Sequence, residues 1–234
     1  MKIFNLSLLA TLALTAAAHA TVINGSSLQD LLNSITNDGT SSVNVTTDQV
    51  SADALWKLTA TGTSAATMIF EIAGNAPSNS FGIYDAANPS SKVTLFAGAA
   101  IGGDQAAVSM KASGEVFVNA VTTSTFFAGN SFGYFLLGPG GTFYSDKALN
   151  VGLYDQMIAF QGKGDEITIP TLFSGDWTPN EYILAWEDLA GGDNDFNDML
   201  VMVESVQPVP EPATLGLMGL GLIGLAMVAR RRKK

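Results

Sequence analysis

Short runs of β-branched and aromatic residues fill the sequence from Val43 to Val206, and they limit the fold more than any other feature. Gly, Asn, Asp and Ser separate the runs, which is the pattern of strands joined by turns. We predict ten strands, at residues 55–60, 67–73, 81–84, 92–97, 106–111, 115–119, 132–137, 157–161, 182–187 and 199–206. The spacing leaves no room for regular βαβ units. We therefore predict an all-β fold, an antiparallel β-sandwich of jelly-roll type.

One helix is predicted before the first strand. Leu28, Leu31, Leu32 and Ile35 recur at helical spacing, after a serine that can act as the N-cap and before Asn37-Asp38-Gly39. We expect this short N-terminal helix to pack its leucines on the sandwich.

Two strand segments share a Phe-Gly pair. Asn79-Ser-Phe-Gly-Ile-Tyr-Asp85 is echoed by Asn130-Ser-Phe-Gly-Tyr-Phe-Leu136. Glycine on a strand permits a bulge or a close backbone approach. We interpret the two segments as paired strands that use the same packing, in preference to a ligand site.

The N-terminal segment has the pattern of a signal peptide. Lys2 precedes an uncharged apolar run, Leu6 to Ala18, and Ala18-His19-Ala20 fits the small-x-small cleavage pattern. We predict a signal peptide at residues 1–20, read by the Sec translocon, with cleavage after Ala20. The exported body then spans residues 21–207.

The C-terminal segment, residues 208–234, combines a proline-bracketed motif, an apolar span and a basic end. Val209-Pro210-Glu211-Pro212 precedes an uncharged span at 213–229, and the chain ends in Arg230, Arg231, Arg232, Lys233 and Lys234. A helix needs roughly 17–25 apolar residues to cross a membrane, so we predict a transmembrane helix. The terminal cations favour the cytoplasmic side. A plain membrane anchor and a processed tail both fit this pattern.

The order of motif, span and basic end resembles the PEP-CTERM sorting signal. That resemblance implies recognition by an exosortase, a membrane protease or transpeptidase, at Val209, Pro210, Glu211 and Pro212. It also implies export by a Gram-negative bacterium of the kind that makes exopolysaccharide. The expected path is an inner-membrane intermediate held by the C-terminal helix, followed by the cell surface or the extracellular space.

Charge and missing residue types exclude several functions. One of the 11 lysines and arginines lies in the signal peptide and five lie in the tail, and Glu211 alone of the 21 acids lies outside the body. The body thus has five cations against 20 acids and a net charge of about −15, so a nucleic-acid partner is not expected. There is no cysteine, and the single histidine, His19, leaves with the signal peptide. Histidine-based hydrolysis and zinc sites are excluded.

An acidic loop lies between the last two long apolar runs. The carboxylates and amides crowded there would repel one another without a cation, and calcium prefers six to eight oxygen ligands. We predict calcium binding, and the predicted ligands are Glu187, Asp188, Asp193, Asp195, Asn197 and Asp198. The alternative is a solvated turn whose Asp and Asn residues only shape the backbone.

An EF-hand is a further hypothesis for this loop. Asp193, Asp195, Asn197 and Glu204 match positions 1, 3, 5 and 12 of that motif. Position 6, however, is Asp198 where the motif needs glycine, and residues 199–203 have a strand pattern. We therefore do not expect an EF-hand.

Three segments together resemble a domain of unknown function that is common in bacterial exported proteins. They are Phe81-Gly-Ile-Tyr-Asp85, the stretch from Leu149 to Gly162, and Trp186-Glu-Asp-Leu189 with Gly191-Gly-Asp-Asn-Asp-Phe-Asn-Asp198. The resemblance covers roughly residues 65–206 and implies a β-sandwich, calcium binding and no known catalysis. The family pattern has histidine where this chain has Gln156, which puts any binding role of that position in doubt.

Three classes of function are open at this point. We favour a non-enzymatic exported structural or interaction protein, stabilised by calcium, in or near the exopolysaccharide matrix. The second class is a calcium-dependent carbohydrate-binding module or adhesin, in which the tryptophans and Tyr84, Tyr134, Tyr144 and Tyr154 could stack on sugars. The third is a glycosidase that uses two carboxylates, although no particular pair stands out.

Overall fold

The computed structural model describes residues 20–59, 63–71, 78–98, 100–169 and 173–210. The predicted transmembrane helix at 213–229 and the basic end at 230–234 lie outside these residues. So does the predicted signal peptide except for Ala20. Across the described ranges, no helix has both the length and the apolar character to cross a membrane.

Every strand pairing in the described residues is antiparallel, and these residues form one α-helix and fifteen strands. The elements are α1 (Ser27–Ile35), β1 (Trp56–Leu58), β2 (Thr63–Glu71), β3 (Ser80–Asp85), β4 (Asn88–Phe96), β5 (Gln105–Met110), β6 (Glu115–Val118), β7 (Val121–Phe126), β8 (Ser131–Gly138), β9 (Gly141–Tyr144), β10 (Met157–Gln161), β11 (Asp165–Ile169), β12 (Phe173–Trp177), β13 (Glu181–Trp186), β14 (Met199–Glu204) and β15 (Val206–Pro208). The predicted antiparallel β class with one short helix is confirmed.

The strands form two large sheets and one hairpin. In the front sheet the order is β15-β1-β8-β3-β4, with β9 also paired to β8. In the central sheet the order is β10-β13-β14-β2-β5-β6-β7, and β11 and β12 form a separate hairpin. All the described strands belong to one compact unit, Ala20–Pro210.

Aromatic rings from the front and central sheets meet in the first core. The ring of Trp56 on β1 lies 5.0 Å from that of Tyr182 on β13, and Phe81 on β3 lies 6.0 Å from Trp186 on β13, both edge to face. Valines from both sheets, with alanines and methionines from the central sheet, complete this core. The two sheets therefore pack face to face through interlocking side chains.

A second core lies on the opposite face of the central sheet. Ile158, Phe160, Ile183 and Leu200 point there and join the buried side of α1 and the β11–β12 hairpin. Strands β10, β13 and β14 are thus buried on both faces, because neighbouring residues along each strand enter different cores. This double burial explains why these strands are unbroken apolar runs in the sequence and not alternating ones.

The two Phe-Gly segments are paired strands, as predicted. In the β3–β8 register Gly82 lies opposite Phe135, and Tyr84 lies opposite Gly133. A Cβ on Gly133 would lie 2.2 Å from the Tyr84 ring, and a Cβ on Gly82 would lie 2.8 Å from the Phe135 ring. Each glycine makes room for the aromatic ring on the partner strand.

The C-terminal end of the body is held on the front sheet. Strand β15 pairs with β1, with Trp56 opposite Pro208, and the Val209 N–H donates to the Leu55 carbonyl over 2.8 Å. The pairing continues past residue 207, where the sequence placed the end of the body. Proline fits here because this strand lies at a sheet edge.

Candidate metal centre

The acidic loop, residues 187–198, connects the doubly buried strands β13 and β14. Phe196 anchors it, because this side chain is fully buried in the second core beside α1. The backbone takes positive φ values at Gly191 (69°), Asn194 (58°) and Phe196 (53°). A left-handed conformation is costly for phenylalanine, so burial of the ring must compensate.

Glu187 is the most deeply buried carboxylate of the loop, with 1% of its surface exposed. Its backbone N–H donates to the Gln156 carbonyl over 3.0 Å, and its Oε1 accepts the Phe196 N–H over 2.7 Å. Its Oε2 lies over Gly192, where a Cβ would come within 2.4 Å. Burial, with a smaller effect of the carboxylates of Asp198, Asp193 and Asp195, raises the pKa of Glu187 to about 7, although the hydrogen bond from the Phe196 N–H acts to lower it.

Three of the six predicted calcium ligands come together. One carboxylate oxygen each from Glu187, Asp193 and Asp195 lies within 4.8 Å of the others. Asp193 is exposed and Asp195 half-buried, so the group opens to solvent on one side. Three convergent hard oxygens match the preference of calcium, and Gly192 leaves the space that Glu187 needs. The residues therefore fit a hard divalent cation.

The other three predicted ligands hold the loop in shape. Asp198 Oδ2 accepts the Asp188 N–H over 2.9 Å, and Asp188 Oδ2 accepts from Asn79 Nδ2 over 3.2 Å. Asn197 donates its side-chain N–H to Asp195. Burial raises the pKa of Asp198 to about 6, with added repulsion from Asp188, Asp195 and Asp193. None of the three belongs to the close carboxylate group.

Residues far away in the sequence hold this site in place, and no local sequence pattern marks them. The Asn24 N–H donates to the Asn194 carbonyl over 2.8 Å, and Asn24 Nδ2 donates to the Asp193 carbonyl over 2.5 Å. Ser27, the first residue of α1, donates its hydroxyl to Asp195 Oδ2 over 3.0 Å. The N-terminal segment therefore holds the backbone at Asp193 and the carboxylate of Asp195.

Gln156 also supports the loop. Its carbonyl accepts from Glu187, and its side-chain Nε2 donates to the Leu189 carbonyl over 3.2 Å. The side chain is buried. In this chain the position that departs from the family pattern therefore shapes the start of the loop, and it contributes no ligand to the carboxylate group.

The EF-hand alternative fails on geometry. Met199–Glu204 is strand β14, as predicted, and Glu204 pairs with Glu181 at its far end. At 3.3 Å per residue, Glu204 lies about 20 Å along the strand from Asp198. It cannot reach the same ion as Asp193 and Asp195.

Cations do not balance the loop within the described parts of the chain. The two ion pairs found there, Lys111–Glu115 and Lys163–Asp48, both lie elsewhere. The charged groups that shift the pKa of Glu187 are carboxylates. Occupation by a cation would relieve this repulsion directly.

The described residues contain only part of each processing signal. Val209 and Pro210 are described, whereas Glu211 and Pro212 lie outside, and of the predicted cleavage residues Ala20 is described and Ala18 is not.

Comparison with protein families gave two matches. The PEP-CTERM protein-sorting motif matches residues 208–233, and a domain of unknown function, DUF4114, matches residues 126–206. The second match contains Gln156 and the whole acidic loop. It begins at residue 126, whereas the resemblance noted in the sequence began at about residue 65. No curated protein matches the chain. The chain therefore carries a PEP-CTERM sorting motif at its C-terminal end and a DUF4114 domain in its body.

Proposed function

We propose that this protein is exported, trimmed by an exosortase in the region of Val209 to Pro212, and retained at the cell surface or in the extracellular matrix. There it acts as a structural or interaction protein with no catalytic role. The observation that supports sorting is the PEP-CTERM match over residues 208–233, which indicates an exported protein that is membrane-anchored before processing. The end of β15 supports it too, since this last strand of the body ends at Pro208, the first residue of the match. Exopolysaccharide is the proposed partner.

The experiment for this proposal is intact-mass measurement of protein released from the cell surface. We expect a chain that begins at Thr21 and ends near Pro210. A matched variant with Pro210 and Pro212 replaced by alanine should stay in the membrane fraction at full C-terminal length. A released wild-type chain that still ends in Lys234 would refute processing.

We further propose that the body binds calcium through Glu187, Asp193 and Asp195. Asp188, Asn197 and Asp198 hold the loop and add negative charge. Bound calcium would neutralise a partly buried carboxylate cluster and fix the loop between β13 and β14. The support is the convergence of three carboxylate oxygens within 4.8 Å around a glycine that leaves them space.

Thermal melting with and without calcium tests this second proposal. We expect millimolar calcium to raise the melting midpoint, because a ligand that binds only the folded state stabilises it. Magnesium at the same concentration is the control, since it demands stricter octahedral geometry. An unchanged midpoint in calcium would contradict the proposal.

We also propose the jelly-roll-like class for the sandwich. Its support is the path of the chain, which passes back and forth between the sheets: β1 front, β2 central, β3 and β4 front, β5 to β7 central, β8 and β9 front. The chain then returns to the central sheet and ends with β15 in the front sheet.

The carbohydrate-binding alternative loses most of its stacking residues. All three tryptophans are fully buried, as are Tyr84 and Tyr134. Of the tyrosines proposed to stack on sugars, Tyr144 is half-buried and Tyr154 is 52% exposed. Because aromatic sugar platforms must face solvent, this burial favours the structural role. Glycan-array binding that disappears with a chelator would reverse that preference.

A further inference from the structure

A second carboxylate cluster lies away from the acidic loop, at the point where the described chain begins. Gln49 Oε1 accepts the Thr21 N–H over 2.7 Å, and Gln49 Nε2 donates to the Thr21 carbonyl over 2.8 Å. The same Nε2 donates to the Val45 carbonyl over 3.1 Å. One glutamine side chain thus fixes both backbone polar groups of Thr21.

The Thr21 side chain points to a carboxylate. Its hydroxyl donates to Asp155 Oδ2 over 2.5 Å, across 134 positions of sequence. Asp155 precedes β10, and Asp53 lies close enough for the Asp155 charge to act on it. Thr21, Gln49, Asp53 and Asp155 therefore form one cluster, which we name the N-terminal pocket.

This pocket has an excess of negative charge. Burial raises the pKa of Asp53 to about 8, with the Asp155 carboxylate as the next cause, and burial also raises the pKa of Asp155. Among the described residues, the cation that lowers the pKa of both aspartates is Lys147, which is exposed. Solvent screens an exposed lysine, so the pocket is short of a positive charge at close range.

We propose that the N-terminal pocket is the receptor for the α-ammonium group that appears on Thr21 when the signal peptide is removed. Hydrolysis of the Ala20–Thr21 bond adds one water: Ala20 leaves with a carboxylate, and the Thr21 nitrogen gains a hydrogen and then a proton. The inference rests on the proposed export and on cleavage after Ala20. It assigns a structural consequence to that cleavage.

The geometry places the new positive charge close to the Asp155 carboxylate. Within one threonine the backbone nitrogen and the hydroxyl oxygen are three bonds apart, about 3 Å. The hydroxyl already lies 2.5 Å from Asp155 Oδ2, so the ammonium falls within the ~4–6 Å range over which opposite charges shift a pKa. Gln49 accepts one of its hydrogens, and the others remain for Asp155.

The position of Thr21 also affects the acidic loop, through residues that follow Thr21 in the chain. Asn24 and Ser27, which hold the Asp193 backbone and the Asp195 carboxylate, follow Thr21 by three and six residues. An ion pair at Thr21 would fix the start of that segment. Cleavage thereby stabilises one of the supports of the candidate metal centre.

The test measures the pKa of the α-amine in the protein as cells export it. N-terminal sequencing first establishes that the chain begins at Thr21. Competitive acylation across a pH series, read by mass spectrometry of the N-terminal peptide, then gives the pKa. We expect it at least one pH unit above the ordinary value of about 7.7–8.0. At pH 7.5 the α-amine should react about tenfold more slowly than an unpaired one.

Variants separate this pocket from general effects of the acidic body. Asp155→Asn should return the pKa toward its ordinary value, whereas Asp176→Asn, which removes an exposed aspartate on β12, should leave it raised. The wild-type measurement needs no variant, so a misfolded Asp155→Asn protein does not weaken the test.

Each outcome has a defined meaning. A chain that begins at another residue overturns the cleavage assignment and this inference together. A chain that begins at Thr21 with an ordinary α-amine pKa overturns this inference alone. Equal effects of the Asp155 and Asp176 variants would also overturn it.

Discussion

Glu187→Gln is the most informative change at the candidate metal centre. The substitution keeps the shape of the side chain and the Oε1 acceptor for the Phe196 N–H but removes the buried charge. Burial moves the pKa of Glu187 from 4.5 to about 7. A rise of this size corresponds to roughly 3 kcal/mol of lost folding stability above pH 7 in the absence of a cation.

The sign of the pH dependence follows from that direction. The folded state holds the Glu187 proton more tightly than the unfolded state. The contribution of this group is therefore most favourable below pH 4.5 and is lost as the pH rises through 7. We expect the calcium-free variant to equal the wild type near pH 4 and to exceed it near pH 8. Asp53 contributes equally to both proteins, so the difference between the proteins reports Glu187 together with its repulsion from Asp198.

Denaturant unfolding at pH 4, 6 and 8, each with chelator and with millimolar calcium, measures these differences. Calcium should restore the wild type at pH 8 and have little effect on Glu187→Gln. Glu204→Gln is the matched control, because it removes the same charge from the far end of β14. A calcium response that Glu204→Gln abolishes and Glu187→Gln preserves would refute the proposed ligand set. A calcium-free Glu187→Gln protein no more stable than wild type at pH 8 would refute the electrostatic reasoning.

Three further changes test the packing. Gly133→Ala should cost at least about 2 kcal/mol in denaturant unfolding, because the new Cβ would lie 2.2 Å from a tyrosine ring, whereas Gly129→Ala, with nothing within 4 Å, should be near neutral. Phe196→Ala should cost about 3–5 kcal/mol by thermal or denaturant unfolding and should weaken the calcium response, because the ring is fully buried and anchors the loop. Asn150→Ala removes bonds to two carbonyls and one N–H, so limited proteolysis should gain a cut within residues 149–154 while the melting midpoint falls by only a few degrees.

Ten of the fifteen strands were predicted from the sequence, and β7, β9, β11, β12 and β15 were missed. All ten predicted segments overlap a strand, and in nine of them described apolar side chains enter a core. Strand β7 is mostly exposed and polar, and β15 is three residues long and ends in proline. Strand β7 therefore lacks an apolar pattern, and β15 contributes a single buried residue, Val206, which is too little for a pattern. Strand β11 alternates correctly, with Ile167 and Ile169 buried, and could have been found from its period of two.

The acidic loop could be predicted as a cluster of carboxylates. Which of them converge on one point and which hold the loop in shape could not be predicted. Loop composition indicated six oxygen ligands, and the fold brings Glu187, Asp193 and Asp195 together while Asp188 and Asp198 make hydrogen bonds within the loop and to Asn79. That division depends on where backbone N–H groups point. Asn24 and Ser27 were missed for a different reason, since they lie more than 160 residues away in sequence and have no acidic or apolar pattern of their own.

The two proposals give the carboxylate clusters one shared property: each would receive its counter-charge only outside the cytoplasm. The α-ammonium of Thr21 exists only after signal-peptide removal, and calcium sites in extracellular modules fill at about 10⁻⁴–10⁻³ M. Until then, the buried charges of Asp53 and Glu187 oppose folding, because burial raises both pKa values toward or above neutral pH. If the chain is exported through the Sec translocon, as we propose, it must cross unfolded, and this penalty acts where folding would obstruct export. Outside, with the α-ammonium group and calcium in place, the same residues would favour the fold. The segment with Asn24 and Ser27 joins the two sites. Ordering one site thus reduces the entropy cost of ordering the other, and N-terminal cleavage and calcium binding should stabilise the body together.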